Sequence, residues 1–318
     1  MKRLAIVVIV AGLAWSGWWV YAAWSQRSAV EAWFADRRAD GWEAGYDDLS
    51  VRGFPNRLDI TFTGLTLADP DTRIVWEAPF FQILQLSYGR GHEILVWPDS
   101  QTLTTPNGRH EITSEGLRAS LIHDGDLVQR ATLEASVLNI GGESPLAMAG
   151  LTAAIGILSD RRYHLGLRAD ALATNRGDLI VDGGTTTDSA ALDAEVALDA
   201  PLRLSDPLPQ PRRIDVKLAE YRAGKLEVNL AGAVDIDAEG RPDGRITVRA
   251  VNWRELIGLA RESGQLQDSM ADVLEDGLTL VAGLSGNRNT LDLPLDFSGG
   301  KTWLGPIPLG EAPRLRLP

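Results

Sequence analysis

Asp235, Asp237 and Glu239 alternate ahead of Gly240, which is how a calcium loop begins: oxygen ligands on every second residue and a glycine for the sharp turn. Such a loop closes with a bidentate Glu at its twelfth position, and that position here is Ile246. Ile236, inside the motif, is apolar and in phase with a strand, so the stretch reads as a polar hairpin turn. The four histidines, His92, His110, His123 and His164, are scattered, and none has a His or an acid four residues on, as a helix-borne zinc pair needs. There is no cysteine, which removes thiolate metal sites, disulfides and cysteine nucleophiles together. No G-x-S-x-G elbow occurs, and no glycine-rich loop with Lys-Ser/Thr leads into a helix. Carboxylate pairs abound, as chance dictates in an acidic chain, and none is assigned to acid–base work. No catalytic, cofactor or metal residue is assigned, and the chain reads as no enzyme.

The residues that do carry a signal are apolar. From Leu4 to Gln26 there is no charge over 23 residues. A helix of that length rises about 35 Å, enough to cross a hydrocarbon core of about 30 Å. A signal peptide has a shorter apolar core, about 7–15 residues. Val20-Tyr21-Ala22 is a weak cleavage site, but the length and the aromatic cluster Trp18, Trp19, Tyr21 and Trp24 at the distal end favour a retained anchor. Lys2 and Arg3 form a short basic stub that should stay in the cytoplasm, which places the bulk in the periplasm of a Gram-negative cell. Arg27, Arg37 and Arg38 at the other end oppose that orientation and leave it an expectation.

Net charge is −12, and because residues 1–27 carry three positive charges and no acid, the remainder carries −15. With no basic run, the acidic remainder is a poor match for nucleic acid, which is not expected as a partner, or for anionic lipid surfaces. The excess acid keeps a long β-protein soluble.

The expected organisation is a transmembrane anchor with its stub at 1–27, a juxtamembrane helix at 28–41, and a β-rich periplasmic domain at 42–318 with a sub-boundary near 205–212. In the helix, Val30, Trp33 and Phe34 share a face that packs on the domain or rests on headgroups; the sequence does not choose. Beyond Gly45 the pattern alternates. Leu58, Ile60 and Phe62 oppose Asp59, Thr61 and Thr63, and Leu192, Ala194, Val196 and Leu198 oppose Asp193, Glu195 and Asp199. Period two with one dry face predicts antiparallel strands. Tyr163, Leu165, Leu167 and Ala169 make another dry row.

The clearest run, Arg212–Val251, predicts a three-stranded meander with three apolar rows. These are Ile214, Val216 and Leu218; then Leu226, Val228, Leu230, Val234 and Ile236; then Ile246, Val248 and Ala250. Ile214 and Val216 are the candidate lining of a groove or core. Asn252 then begins a near-capping box with Glu255, followed by a helix carrying Trp253, Leu256, Ile257 and Ala260. A second helix over 265–284 places Leu266, Met270, Val273, Leu274, Leu278 and Val281 on one face, with Gly277 a point where it could end early. Gly183-Gly184 and Gly299-Gly300 fit hairpin turns, and Pro306, Pro308 and Pro313 forbid a closing helix. The fold class is mainly β: a long curved antiparallel sheet, as an open groove or a partly closed barrel, with an N-terminal transmembrane helix and two helices near the C-terminus. Trp76, Trp97, Trp253 and Trp303 are the domain aromatics of interest, as core anchors or as contacts for an acyl chain.

Several segments carry a resemblance. GYDDLSVRGFPNRLDITFTGLTLADP (45–70), WEAPFFQILQLSYGRGHEILVWPDSQTLTTPNG (76–108), LRASL (117–121) and LDLPLDFSGGKTWLGPIPLGEAP near the C-terminus resemble a bacterial family known as domain of unknown function 2125. GFP, LSY and LGPIPLG are its most specific pieces. The resemblance implies a single-pass exported protein and no established activity. More distantly, GAVDIDAEGRPDGRITV resembles the C-terminal repeats of AsmA-like envelope proteins, which implies an apolar concave sheet and a part in lipid movement or outer-membrane maintenance. The expected function is therefore a non-enzymatic, membrane-tethered envelope protein offering an apolar β-groove to lipid acyl chains. The alternative is a structural or assembly factor that binds another envelope protein. No cofactor is implied.

Overall fold

The computed structural model describes residues 1–89, 91–143, 145–174, 188–204, 207–262, 268–284, 287–305 and 307–317. The chain begins with one unbroken helix, α1 (Lys2–Ala39). Strands follow as β1 (Glu43–Gly45), β2 (Asp48–Arg52), β3 (Asp59–Asp69), β4 (Ile74–Gln85), β5 (His92–Val96), β6 (Ser100–Thr105), β7 (Gly108–Glu115), β8 (Arg118–Asp124), β9 (Leu127–Ile140), β10 (Leu146–Ser159), β11 (Arg162–Ala169), β12 (Ala171–Thr174), β13 (Ser189–Leu198), β14 (Pro211–Ala223), β15 (Leu226–Ile236) and β16 (Pro242–Val251). Two helices, α2 (Trp253–Glu262) and α3 (Asp268–Leu284), interrupt the strands before β17 (Thr290–Ser298), β18 (Lys301–Leu304) and β19 (Ile307–Glu311). The nineteen strands belong to one long antiparallel sheet, so the chain is mainly β, as the alternation predicts. The Gly183-Gly184 turn lies outside the described residues.

Two compact units divide the chain: residues 1–125, 129–151 and 173–183 form the first, and residues 126–128, 152–172 and 184–318 the second. In the first, β3 is central, with β1, β2 and β4 as its antiparallel neighbours. Leu49, Ile60, Phe62, Leu65 and Ala78 are buried on one face. The cover for that face comes from α1. Phe34 is 2% exposed, stacks edge-on against Tyr46 at 4.9 Å, and packs with Val30 against the sheet. This answers the question the periodicity leaves open for the juxtamembrane stretch: Phe34 serves the core, while Trp33 on the flank is exposed. The anchor and the juxtamembrane helix are also continuous, with no break near residue 27.

Strand β3 shows how the apolar row survives a change of phase. Leu58, Ile60 and Phe62 alternate as predicted, and Leu65 rejoins the same core three residues on. Gly64 makes the shift with φ +61°, and a Cβ there would lie 2.1 Å from Asp47 Oδ2. Only glycine meets both demands.

In the second unit the sheet is a meander from β13 to β19, with β11 paired to β13 and β10 to β11. Among the described residues no pairing closes it into a barrel. Gly299 and Gly300 both have positive φ and join β17 to β18 through the pair Ser298–Lys301, the tight hairpin their sequence predicts. One expectation fails at α2. Asn252 has φ +55° and its side-chain amide donates to Lys225 O, so it does not cap the helix. Gly277 does not end α3, which runs on to Leu284.

Two outcomes follow. Phe34→Ala should cost about 3–5 kcal/mol by emptying a closed aromatic cluster, read as a lowered unfolding midpoint in detergent. Gly64→Ala should cost more than 1 kcal/mol through backbone strain and the Asp47 clash, whereas Gly45→Ala, whose Cβ would meet nothing within 4 Å, should stay within about 0.5 kcal/mol.

Candidate functional site

The second unit presents one apolar face whose register can be followed strand by strand. Residues paired across antiparallel strands project to the same side. One rung runs Leu167, Leu192, Ala219, Leu230, Val248, Leu293 across β11, β13, β14, β15, β16 and β17. The next runs Leu165, Ala194, Val216, Gly232, Ile246, Leu295, and the one beyond it Tyr163, Val196, Ile214, Val234, Gly244, Phe297. Ile214 and Val216, the candidate lining, thus sit on this face with Val234 and Gly232 opposite. Leu218 does not. The register slips between Val216 and Ala219, the extra residue turns the strand over, and Leu218 is 41% exposed on the other side while Ala219 takes its place in the row.

The face is closed at one end. Trp253, Ile257, Ala271 and Ala282 of α2 and α3 bury Ala250 and Leu291, and the Trp253 indole N–H donates to Arg288 O at 3.1 Å. Trp253 is therefore a core anchor. Ala271, Leu278 and Ala282 form the inward side of α3, and Val273, expected there, points to solvent. Small alanines let the helix approach the sheet closely, so the residues in contact are not the bulkiest ones. Leu266 lies outside the described residues. Toward the other end the chain around Leu202 crosses Tyr163, whose hydroxyl accepts from Leu202 N at 2.9 Å. Tyr163, Val196, Val234 and Ile236 are buried there.

Between these covers lies the Leu167–Leu293 rung, and no member of it is buried. Leu167 is 38% exposed and the other five are half-buried, with Leu293 packed against the edge of the α2–α3 cluster. Neighbouring strands lie about 4.8 Å apart, so six strands give an apolar strip roughly 24 Å long. The opposite face of the same strands is charged. His164 pairs with Asp193 at 2.9 Å, Arg213 with Asp235 at 2.8 Å, Lys217 with Asp215 at 3.0 Å, and Arg245 with Asp296. Hydrogen bonds donated to these carboxylates raise Arg213, Lys217 and Arg245 further above neutrality. That locks charge in place, the opposite of what a proton-transfer group needs.

The remaining polar candidates are in use. Asp237 Oδ1 accepts from the backbone N–H groups of Glu239 and Arg241, so the calcium-like motif is an Asx-type turn. His92 meets Ser120, His110 meets Gly141 O, and His123 meets Glu93. Among the described residues no three His, Asp or Glu side chains converge on a metal position. Trp76 donates to Gln101 at 2.7 Å, and Trp97 packs on the Leu117–Leu138 cluster. Trp303 lines an open cavity of about 660 Å³ with Arg245, Asp296 and Phe297.

Hydropathy gives no sign of a second set of contacts. Trp15 and Trp19 of α1 donate to Pro55 O and Arg57 O at 2.9 and 2.8 Å. Hydropathy scores these rings only as membrane residues; the available signal was their spacing of four, which puts both on one helix face.

No curated protein and no solved structure matches the chain, so the AsmA-like likeness rests on strand pattern alone. A family model described as an uncharacterized protein conserved in bacteria matches residues 19–313. With that match covering nearly the whole domain, the chain belongs to the DUF2125 family.

Proposed function

We propose that this protein is a non-enzymatic, membrane-tethered component of the bacterial envelope whose apolar sheet face holds lipid acyl chains. In this reading α1 crosses the inner membrane once with its basic stub in the cytoplasm, and the β-rich remainder lies in the periplasm. The observation that carries it is the unclosed Leu167–Leu293 rung. A core that existed only to be filled would bury these leucines and valines as it buries Ala250 and Leu291. The strip is also long enough for an acyl chain, since one leaflet of hydrocarbon is about 15 Å deep. A helix of the required length and hydropathy, Lys2–Ala39, supports the tether. A second reading, an assembly factor for another envelope protein, draws on β19, which pairs with β18 on one side and has Leu309 half exposed.

Placing a photo-reactive phenylalanine analogue at Leu230 or Val248 in cells should yield lipid adducts on irradiation, and the same group at Asn229 or Thr247 on the charged face should not. Adducts no more frequent at Leu230 and Val248 than at Asn229 and Thr247 would refute the lipid reading. Protein adducts concentrated at Leu309 would favour the second.

A further inference from the structure

The contacts of Trp15 and Trp19 have a consequence for where the first unit stands. Because α1 is unbroken, position along it measures depth at about 1.5 Å per residue. Trp15 lies midway between Arg3 and Arg27, the charges that bound the apolar run. Its indole N–H donates to Pro55 O, that of Trp19 donates to Arg57 O, and the Trp19 ring meets Phe54 edge-on at 5.5 Å. Higher up, the Arg27 guanidinium donates to Leu49 O at 2.7 Å. The loop at 53–57 is thus fastened alongside the upper half of the apolar run.

That loop is not alone. Ser87 N donates to Asn56 O at 2.9 Å, Leu58 N donates to Gln85 O, and Arg57 bridges Leu86. The segments GFP (53–55) and LSY (86–88) therefore form one tip of the sheet. Phe54 is 55% exposed there, Leu86 43% and Tyr88 66%. Three large side chains are thus offered to the surroundings, and Trp18, stacked on Trp15 at 4.9 Å, is exposed on the helix as well.

Below the lowest tip contact only residues 4–14 of the run remain, a rise of about 16 Å against a hydrocarbon core of about 30 Å. Downward reach of Lys2 and Arg3 to the cytoplasmic surface and local thinning of the bilayer recover part of the difference, but tilting α1 only increases it. A span that holds Lys2 and Arg3 at one surface cannot hold the tip clear of the other. We infer that the tip formed by Phe54, Leu86 and Tyr88 is immersed in the leaflet on the domain's side, so that the first unit stands in the bilayer. This rests on reading α1 as a membrane span. The chemistry fits immersion. Backbone carbonyls at depth need donors, and the indoles of Trp15 and Trp19 and the amide of Ser87 supply them to Pro55, Arg57 and Asn56. Arg57 is paired with Asp59 at 3.0 Å. The partner is the acyl and glycerol region of a bilayer, recognised by aromatic and aliphatic side chains and without a basic patch.

The absence of cysteine allows single labelling sites in the full chain. Val8→Cys, Phe54→Cys, Tyr88→Cys and Thr72→Cys, each carrying an environment-sensitive nitrobenzoxadiazole dye, would be reconstituted into phosphatidylethanolamine–phosphatidylglycerol vesicles with acyl chains brominated. Dyes at 8, 54 and 88 should be blue-shifted and quenched several-fold relative to the dye at 72. Dyes at 54 and 88 as unquenched as the one at 72, with position 8 still quenched, would overturn the immersion and leave the span standing. No quenching at position 8 would overturn both.

Discussion

The packing of Phe34 into the first unit is the contact on which the rest of the account depends. Phe34 belongs to the same helix as the apolar run, and that helix has no joint between them. Burying a phenylalanine is worth about 1.5–3 kcal/mol, and the Val30, Tyr46 and Phe62 contacts around it add shape to that energy. A membrane segment normally hangs from its domain by a linker, which leaves depth and direction free. Here the core residue and the apolar run are turns of one rod, so fixing Phe34 fixes the direction of Leu4–Gln26 relative to β2, β3 and β4. The Arg27 bond to Leu49 and the two indole bonds then hold the rod at three further points.

The second unit is governed by a different constraint. Its strands are amphipathic throughout, so every register change has to preserve which side is dry. The slip between Val216 and Ala219 does so at the expense of exposing Leu218. Helices α2 and α3 close the Ala250 and Leu291 end of the dry face, and the strap near Leu202 covers Tyr163. The rung between those covers is left partly accessible, which is why a lipid reading has a physical basis here, while the paired charges lie on the opposite face.

Much of this was legible in the chain. Alternation at 57–63, 163–169, 192–198 and 226–250 located strands and their dry sides because period two leaves little ambiguity over several residues. The hairpin at Gly299-Gly300 was legible because two adjacent positive φ angles require glycine or asparagine. The Leu218 error has a physical origin: Ile214, Val216 and Leu218 keep perfect alternation, and the bulge that breaks it is set by the partner strand. Val273 misled because helical periodicity cannot say which side of α3 meets a sheet when alanines can do the packing. The site's accessibility was not legible at all, since it depends on what the covers leave open. The tip formed by GFP and LSY was also hidden, because those segments lie some thirty residues apart and meet only through β3 and β4.

The apolar run and the residues that pack into the first unit form one rigid helix. Hydrogen–deuterium exchange of the full chain in lipid nanodiscs tests it at residues 24–33, the stretch between the last span aromatic and Phe34. Continuous protection there, matching that of β3, is the predicted result. Rapid exchange across that stretch, with the helix protected on either side of it, would reveal a flexible joint and contradict the account.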